Sequence, residues 1–217
     1  MFKKYPKIHR LGKEETDGIL EGEGIVIQEK VDGANVSIWI GDDNKIHCGT
    51  RTREITEGFN GFVDYVNEHE GIKNFLTQNP TLRLYGEWLV KHTIAYDETK
   101  MRKFYLFDIT TKSGDQSCLD CNGGKKLFDG EEKKCDKCGG VGSIPLPESY
   151  FGQDFVQKIA FQYDMEYPQI FGTFNNPRLE HIEKFVGQSN IGENGEGVVI
   201  KNYAHKDKWG NHCHPGS

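Results

Sequence analysis

The pattern of apolar and polar positions in the first fifty residues predicts β-structure. Residues 24–40 form two apolar-rich runs, which the turn-forming pair Asp32-Gly33 separates. A second turn, over 42–44, precedes another strand-like run at 45–50. Consecutive strands joined by short turns usually pair with each other, so the pattern predicts an antiparallel meander here.

The rest of the chain mixes helical and strand patterns. Apolar residues recur near helical spacing from residue 59 to 76, at Phe62, Val63, Val66, Ile72 and Phe75. Gly71 falls inside this stretch and predicts an interruption, hence one or two helices. Beyond it the pattern predicts strands over 82–85, 103–109 and 196–202 and helices over 151–161 and 176–186. The fold class expected from this mixture is α+β.

Length and charge narrow the class of protein. A chain of 217 residues with 35% hydrophobic and 12% aromatic residues can bury one substantial core. Its net charge of −6 argues against a protein that coats nucleic acid through bulk electrostatics. The sequence contains no apolar run of membrane-spanning length, and its first residues lack the apolar core of a signal peptide. We therefore expect a monomeric cytoplasmic protein that does not bind membranes.

Four cysteines form a metal-binding pattern in the middle of the chain. Cys118, Cys121, Cys135 and Cys138 give the spacing C-x2-C-x13-C-x2-C, which is typical of a structural zinc site. Around them the composition changes to Cys, Gly, Lys and Asp, which predicts an inserted zinc-knuckle module over residues 114–143. Two disulfides, or reduced and unpaired thiols, are the alternatives.

Lys30 is the candidate nucleophile. It lies where a predicted strand meets a turn, in the run Glu29-Lys30-Val31-Asp32-Gly33-Ala34-Asn35. A lysine amine attacks only after losing its proton, so a nucleophilic lysine needs burial, neighbouring cations or a metal ion to favour the neutral form. The alternative is that Lys30 is an ordinary solvent-facing lysine on a strand.

Four blocks of this sequence resemble the motifs of the covalent nucleotidyltransferases, the superfamily of ATP-dependent ligases and capping enzymes. Lys30-Val31-Asp32-Gly33 looks like the Lys-x-Asp-Gly nucleotidyl-acceptor motif. Three later blocks follow in the family's order, namely Leu84-Tyr85-Gly86-Glu87-Trp88, Phe104-Tyr105-Leu106-Phe107-Asp108-Ile109 and Glu196-Gly197-Val198-Val199-Ile200-Lys201. As an ordered set these blocks are more specific than any one of them.

The resemblance implies a role for each matching residue. Lys30 is the residue that takes up AMP, Glu87 holds the ribose, Phe107 stacks on the adenine and Glu196 binds Mg²⁺ or Mn²⁺. The remaining nucleotide-site residues that the resemblance implies are Glu29, Asp32, Gly33, Asn35, Arg51 and Lys201, of which Arg51 and Lys201 contact phosphate. For isolated residues the alternatives are surface charges for the glutamates and a core position for Phe107.

The resemblance also implies the fold and the branch of the family. Its fold is an ATP-grasp-like adenylation domain of antiparallel sheets flanked by helices, here covering residues 1–217. Asn35, the block 104–109 and the opening Met1-Phe2-Lys3-Lys4-Tyr5 are similar to the phage RNA ligase 2 branch. The cysteine pairs resemble the DnaJ-type zinc repeats. The family's last motif, a strand with two phosphate-binding lysines, is expected well after Lys201 and is not found before residue 217.

These inferences lead to one main functional hypothesis and two alternatives. The main one is an ATP-dependent RNA ligase that uses ATP and a divalent cation to join a 5′-phosphate to a 3′-hydroxyl RNA end, with nicked duplex as one candidate substrate. A non-catalytic nucleic-acid-binding module on a degenerate scaffold is the first alternative. A DNA ligase or guanylyltransferase on the same scaffold is the second.

Overall fold

The computed structural model describes residues 2–91, 93–112, 114–117, 125–128, 131–136, 141, 143–146 and 149–205. The chain divides into two compact units, one formed by residues 1–109 and 150–217 and the other by residues 110–149. The predicted zinc-knuckle segment, 114–143, falls within the second unit.

Strands are the main elements of the fold. They are β1 (Ile25–Lys30), β2 (Ala34–Ile40), β3 (Ile46–Thr50), β4 (Glu54–Ile55), β5 (Leu82–Trp88), β6 (Phe104–Thr111), β7 (Gly114–Ser117), β8 (Lys125–Phe128), β9 (Glu131–Lys134), β10 (Ser143–Leu146), β11 (Ile170–Phe174) and β12 (Gly197–Lys201). The helices are α1 (Phe62–Glu68), α2 (Glu70–Gln78), α3 (Gln153–Gln162) and α4 (Leu179–Glu183), with short 3-10 turns at Glu14–Thr16 and Glu98–Lys100.

A five-stranded sheet forms the larger half of the first unit. Its strand order is β4-β3-β2-β5-β6, and β2 pairs antiparallel with both β3 and β5. Alternate residues of a strand point to opposite faces, and even-numbered residues of β2, β5 and β6 join one hydrophobic core with α1, α2 and α3. Asn35, Glu87 and Phe107 have odd numbers and lie on the other face, which lines the cleft described below.

A separate three-stranded sheet contains β1, and this corrects the predicted meander. Its order is β11-β1-β12, with β1 antiparallel to both neighbours. The turn at Asp32-Gly33 does follow a strand, but it carries the chain from this sheet into the five-stranded sheet instead of forming a hairpin. Ile25, Ile27 and Ile200 pack in a second core with Ile182 of α4.

The helical segment breaks at His69 and not at Gly71. His69 has extended backbone angles and serves as the C-cap of α1 and the N-cap of α2, and its ring accepts a hydrogen bond from the Ile72 amide. Gly71 has a different role, because a Cβ there would lie 1.8 Å from the carbonyl oxygen of Tyr163. The five apolar residues predicted to face the core are all buried.

The second unit contains two short antiparallel pairs, β7 with β10 and β8 with β9. Cys135, directly after β9, is buried and not in a disulfide. The other three cysteines of the predicted zinc site, Cys118, Cys121 and Cys138, lie outside the described residues. No helix in the described part of the chain is long and apolar enough to cross a membrane.

Candidate active site

A cleft of about 600 Å³ opens in the first unit, and its lining includes residues of both sheets. This volume lies within the usual range of small-molecule sites. All ten residues that the sequence predicted for the nucleotide site line it: Glu29, Lys30, Asp32, Gly33, Asn35, Arg51, Glu87, Phe107, Glu196 and Lys201. Residues separated by up to 172 positions in the chain are thus brought together.

The amine of Lys30 contacts the carboxylate of Glu196. The pairing of β1 with β12 produces this contact, because Lys30, the last residue of β1, lies opposite Gly197 and Glu196 comes immediately before it. The two side chains are 37% and 31% exposed, so both remain accessible from the cleft. The arrangement holds a lysine amine at the surface of a cleft beside an acidic partner.

Glu87 approaches from the five-stranded sheet. It lies opposite Asn35 in the pairing of β2 with β5, and its Oε1 accepts a hydrogen bond of 3.2 Å from the Gly33 amide. Gly33 allows the strands to approach closely, since a Cβ there would lie 2.6 Å from the carbonyl oxygen of Trp88. Burial raises the pKa of Glu87 to about 8, opposed by the Gly33 hydrogen bond and the charge of Lys30.

We predict that Glu87→Gln changes how stability depends on pH. Folded Glu87 keeps its proton up to pH about 8, whereas the unfolded carboxyl loses it near 4.5, so the wild type loses stability as pH rises through this window. Glutamine does not titrate. The melting temperature of the variant should therefore rise relative to wild type between pH 5 and pH 9, by at least about 2 °C. A difference between variant and wild type that does not change over this pH range would contradict this account.

Glu29 and Asp32 flank Lys30 and bind neighbouring loops. Asp32 is buried, and its Oδ2 accepts hydrogen bonds of 2.8 Å from the amides of Thr93 and Ile94. Glu29 is 1% exposed, and its Oε1 accepts a 2.5 Å hydrogen bond from Ser189. Its Oε2 has no hydrogen-bond partner among the described residues, and burial raises the pKa of this carboxyl. Both carboxylates thereby fix the backbone on either side of the lysine.

Phe107 and Lys201 lie against a buried polar cluster. Phe107 is half-buried and lines the cleft. The Lys201 amine is 5.5 Å from the centre of that ring. It donates to the Phe107 carbonyl at 2.6 Å, to Asp108 at 3.1 Å and to Gln153 at 3.0 Å. Burial lowers the pKa of Lys201, and the charge of Asp108 opposes this shift.

The N-terminal segment lines the cleft, which the sequence did not indicate. Residues 5–10 contribute to its wall, with Gln28, Val31, Pro168 and Val199 from the rest of the first unit. Tyr5 holds the segment in place, since its hydroxyl donates a 2.6 Å hydrogen bond to Asp108 and its ring lies 5.1 Å from that of Phe107. Tyr5 lies about a hundred residues from Phe107 and Asp108 in the chain, so local sequence patterns do not reveal these contacts. In the sequence, the only distinguishing feature of this region was the similarity of residues 1–5 to one branch of the ligases.

The donors of the cleft fit a nucleotide and a hard cation. Phe107 offers a ring face for a base, and the amine of Lys30 lies within the same cleft. Glu196 supplies carboxylate oxygens, which Mg²⁺ and Mn²⁺ prefer. No group of three or more acidic, histidine or cysteine side chains in the described parts of the chain forms a metal cage. One carboxylate together with phosphate oxygens of a substrate is the usual way of binding Mg²⁺.

Comparison with known proteins gives the family. The sequence profile described as RNA ligase matches residues 23–211, which is more than half of the chain. The chain belongs to the RNA ligase family. The matched range includes all four motif blocks. No curated protein matches the chain in sequence.

Solved structures share the fold of this RNA ligase family member. A mutant of Naegleria gruberi RNA ligase with ATP and Mn is 19% identical, with a TM-score of 0.61 over 99% of this chain and 56% of that one. An archaeal ATP-dependent RNA ligase is 16% identical, with a TM-score of 0.60 over 99% and 47%. A putative ATP-dependent DNA ligase from Aquifex aeolicus is 17% identical, with a TM-score of 0.55 over 92% and 46%. The chain spans about half the length of these proteins.

Proposed function

We propose that this chain carries the adenylation chemistry of an ATP-dependent RNA ligase, with Lys30 as the nucleophile. The observation that supports this best is the contact of Lys30 with Glu196 in a cleft that Glu87 and Phe107 also line. Membership of the RNA ligase family supports RNA as the substrate.

The proposed reaction has three steps. The neutral amine of Lys30 attacks the α-phosphorus of ATP, a nitrogen–phosphorus bond forms, the bond to the β-phosphate oxygen breaks, and pyrophosphate leaves. The amine proton passes to solvent or to a neighbouring carboxylate. A 5′-phosphate RNA end then displaces Lys30 from the AMP phosphorus, and a 3′-hydroxyl attacks that activated end and releases AMP.

Side chains of both sheets have separate tasks in this proposal. Glu87 accepts hydrogen bonds from the ribose hydroxyls, and Phe107 stacks on the adenine. Asn35, which lies opposite Glu87 on β2, and Arg51, which is exposed at the end of β3, contact the nucleotide or the RNA phosphate. Lys201, for which the resemblance implies a phosphate contact, also fixes the Phe107 backbone from its buried position.

A divalent cation completes the proposed site. Bound at Glu196, Mg²⁺ or Mn²⁺ would neutralise phosphate charge and favour the unprotonated form of a nearby amine. The contact between Lys30 and Glu196 holds the two groups together until they engage their ligands.

We also propose two finer assignments. The chain belongs to the phage RNA ligase 2-like branch, which Asn35, the block 104–109 and the opening residues 1–5 support. Cys118, Cys121, Cys135 and Cys138 bind one structural zinc ion in the segment 114–143, which the paired C-x2-C spacing supports.

The experiment follows a labelled phosphate from ATP to RNA. The protein, incubated with α-labelled ATP and Mg²⁺, should acquire covalently bound label that is stable to alkali and released by acid, as expected for a nitrogen–phosphorus bond. Addition of nicked RNA duplex with a 5′-phosphate should then release that label and yield joined RNA. A matched nicked DNA duplex tests the DNA ligase alternative, and labelled GTP tests the guanylyltransferase alternative. If neither nucleotide labels the protein while RNA still binds, the non-catalytic alternative is correct.

A further inference from the structure

The cations at the centre of the cleft are already engaged. Lys30 contacts Glu196, and Lys201 donates to three buried acceptors on residues 107, 108 and 153. The same lining contains four acidic side chains, on Glu29, Asp32, Glu87 and Glu196, of which Glu87 keeps its proton up to pH about 8. A triphosphate carries several negative charges, so beside these acids its binding is favoured by cationic side chains in addition to the divalent cation.

Three other cations meet this need. Lys7, Arg10 and Arg51 line the cleft, are exposed, and make no side-chain hydrogen bond or ion pair within the described parts of the chain. His9 also lines the cleft, but its ring lies 3.5 Å from the Glu15 carboxylate. The free positive charge of the cleft is thus concentrated on the N-terminal segment and at the end of β3.

The segment that carries Lys7 and Arg10 is fixed to the protein at both ends. At one end Tyr5 is buried, donates to Asp108 and packs its ring 4.9 Å from that of Tyr85. At the other end the Arg10 carbonyl accepts hydrogen bonds of 3.3 Å from the Lys13 amide and the Thr16 hydroxyl. A backbone held in this way presents its cations to a ligand with little loss of conformational entropy.

We propose that Lys7 and Arg10, together with Arg51, bind the β- and γ-phosphates of the nucleotide and stabilise pyrophosphate as it leaves. The proposal rests on the function proposed above. In a displacement at phosphorus, the attacking and leaving groups lie roughly in line. Pyrophosphate therefore leaves on the side of the α-phosphorus opposite to Lys30. Lys7 and Arg10 of the N-terminal segment line the same cleft, and neither side chain contacts Lys30 or Glu196.

The test compares a triphosphate with a monophosphate. We would measure binding of AMP and of the α,β-methylene analogue of ATP, which cannot transfer AMP, to the wild type and to Lys7→Ala, Arg10→Ala and the double variant. Each single change should weaken binding of the ATP analogue about tenfold, as expected for one charge-assisted contact, and the double change about a hundredfold. AMP binding should change less than about twofold. Lys4→Ala, an exposed lysine of the same segment outside the cleft lining, is the matched control.

Charge-conserving variants separate a phosphate contact from a structural role. Lys7→Arg and Arg10→Lys should keep binding of the ATP analogue within about threefold of wild type. The proposal is wrong if the alanine variants bind the ATP analogue normally, or if their affinity for AMP falls by the same factor as their affinity for the analogue. It is also wrong if the alanine variants lose affinity only for 5′-phosphorylated RNA, because these cations would then bind RNA and not the nucleotide. Normal binding of the analogue without any lysyl-AMP would contradict the proposed function alone.

Discussion

Replacing Lys30 by alanine is expected to abolish transfer of AMP from ATP to the protein. The side chain supplies the only amine that contacts Glu196 among the residues that the structure describes, and methyl cannot replace it as a nucleophile. Loss of a nucleophile typically lowers turnover by several orders of magnitude, so we expect at least about a thousandfold less covalently bound label from α-labelled ATP. The variant should still fold, because Lys30 is partly exposed at the end of its strand.

Lys103→Ala is the matched control for this experiment. Lys103 is also 37% exposed and forms an ion pair of 2.5 Å with Glu166, but it does not line the cleft. It should retain label at the wild-type level. If Lys30→Ala and Lys103→Ala lose label equally, the effect comes from stability and not from chemistry at Lys30.

Replacing Asp108 by alanine should strongly destabilise the fold. Asp108 is fully buried, and its carboxylate accepts hydrogen bonds from Tyr5, Lys201 and Tyr203. Its loss leaves the Lys201 amine buried without a counter-charge, and breaking such a pair typically costs about 3–5 kcal/mol. Denaturant unfolding of the purified variant should show this loss, together with release of the N-terminal segment to proteolysis.

Two further variants test the cause of this loss. Asp154→Ala changes an exposed acid in the first turn of α3 and should alter stability by no more than about 0.5 kcal/mol. Adding Lys201→Met to Asp108→Ala removes the uncompensated charge and should recover at least about 1 kcal/mol. If Asp108→Ala costs less than about 1 kcal/mol, the cluster does not hold these elements together.

Local sequence patterns predicted which segments form strands and helices, but not which strands pair with each other. The apolar-rich runs in residues 24–50 identified strands close to β1, β2 and β3, because short runs of this kind bounded by turn residues are typical of strands. It could not show that β1 pairs with β11 and β12, since those partners lie more than a hundred residues away. β11 itself has no buried position, so its sequence carries little signal. The sequence shows a glycine at position 71, but it does not show that the Tyr163 carbonyl lies too close for any larger residue there.

The sequence predicted which residues lie together better than it predicted the packing around them. The ten residues proposed for the nucleotide site all line one cleft, and strand alternation explains why Asn35, Glu87 and Phe107 share a face. The buried partners of Lys201 could not be read from the sequence, because they come from two distant segments, β6 and the start of α3. The same is true of the N-terminal segment, whose position depends on the contact of Tyr5 with Asp108.

The most direct test of the central claim is to locate AMP on the protein. The chain would be incubated with ATP and Mg²⁺, digested with protease and analysed by mass spectrometry. We predict the added mass of one adenylyl group on the peptide that contains Lys30, with fragmentation placing it on the Lys30 side chain. An adenylyl group on another lysine, or an unmodified Lys30 peptide at saturating ATP, would contradict the account.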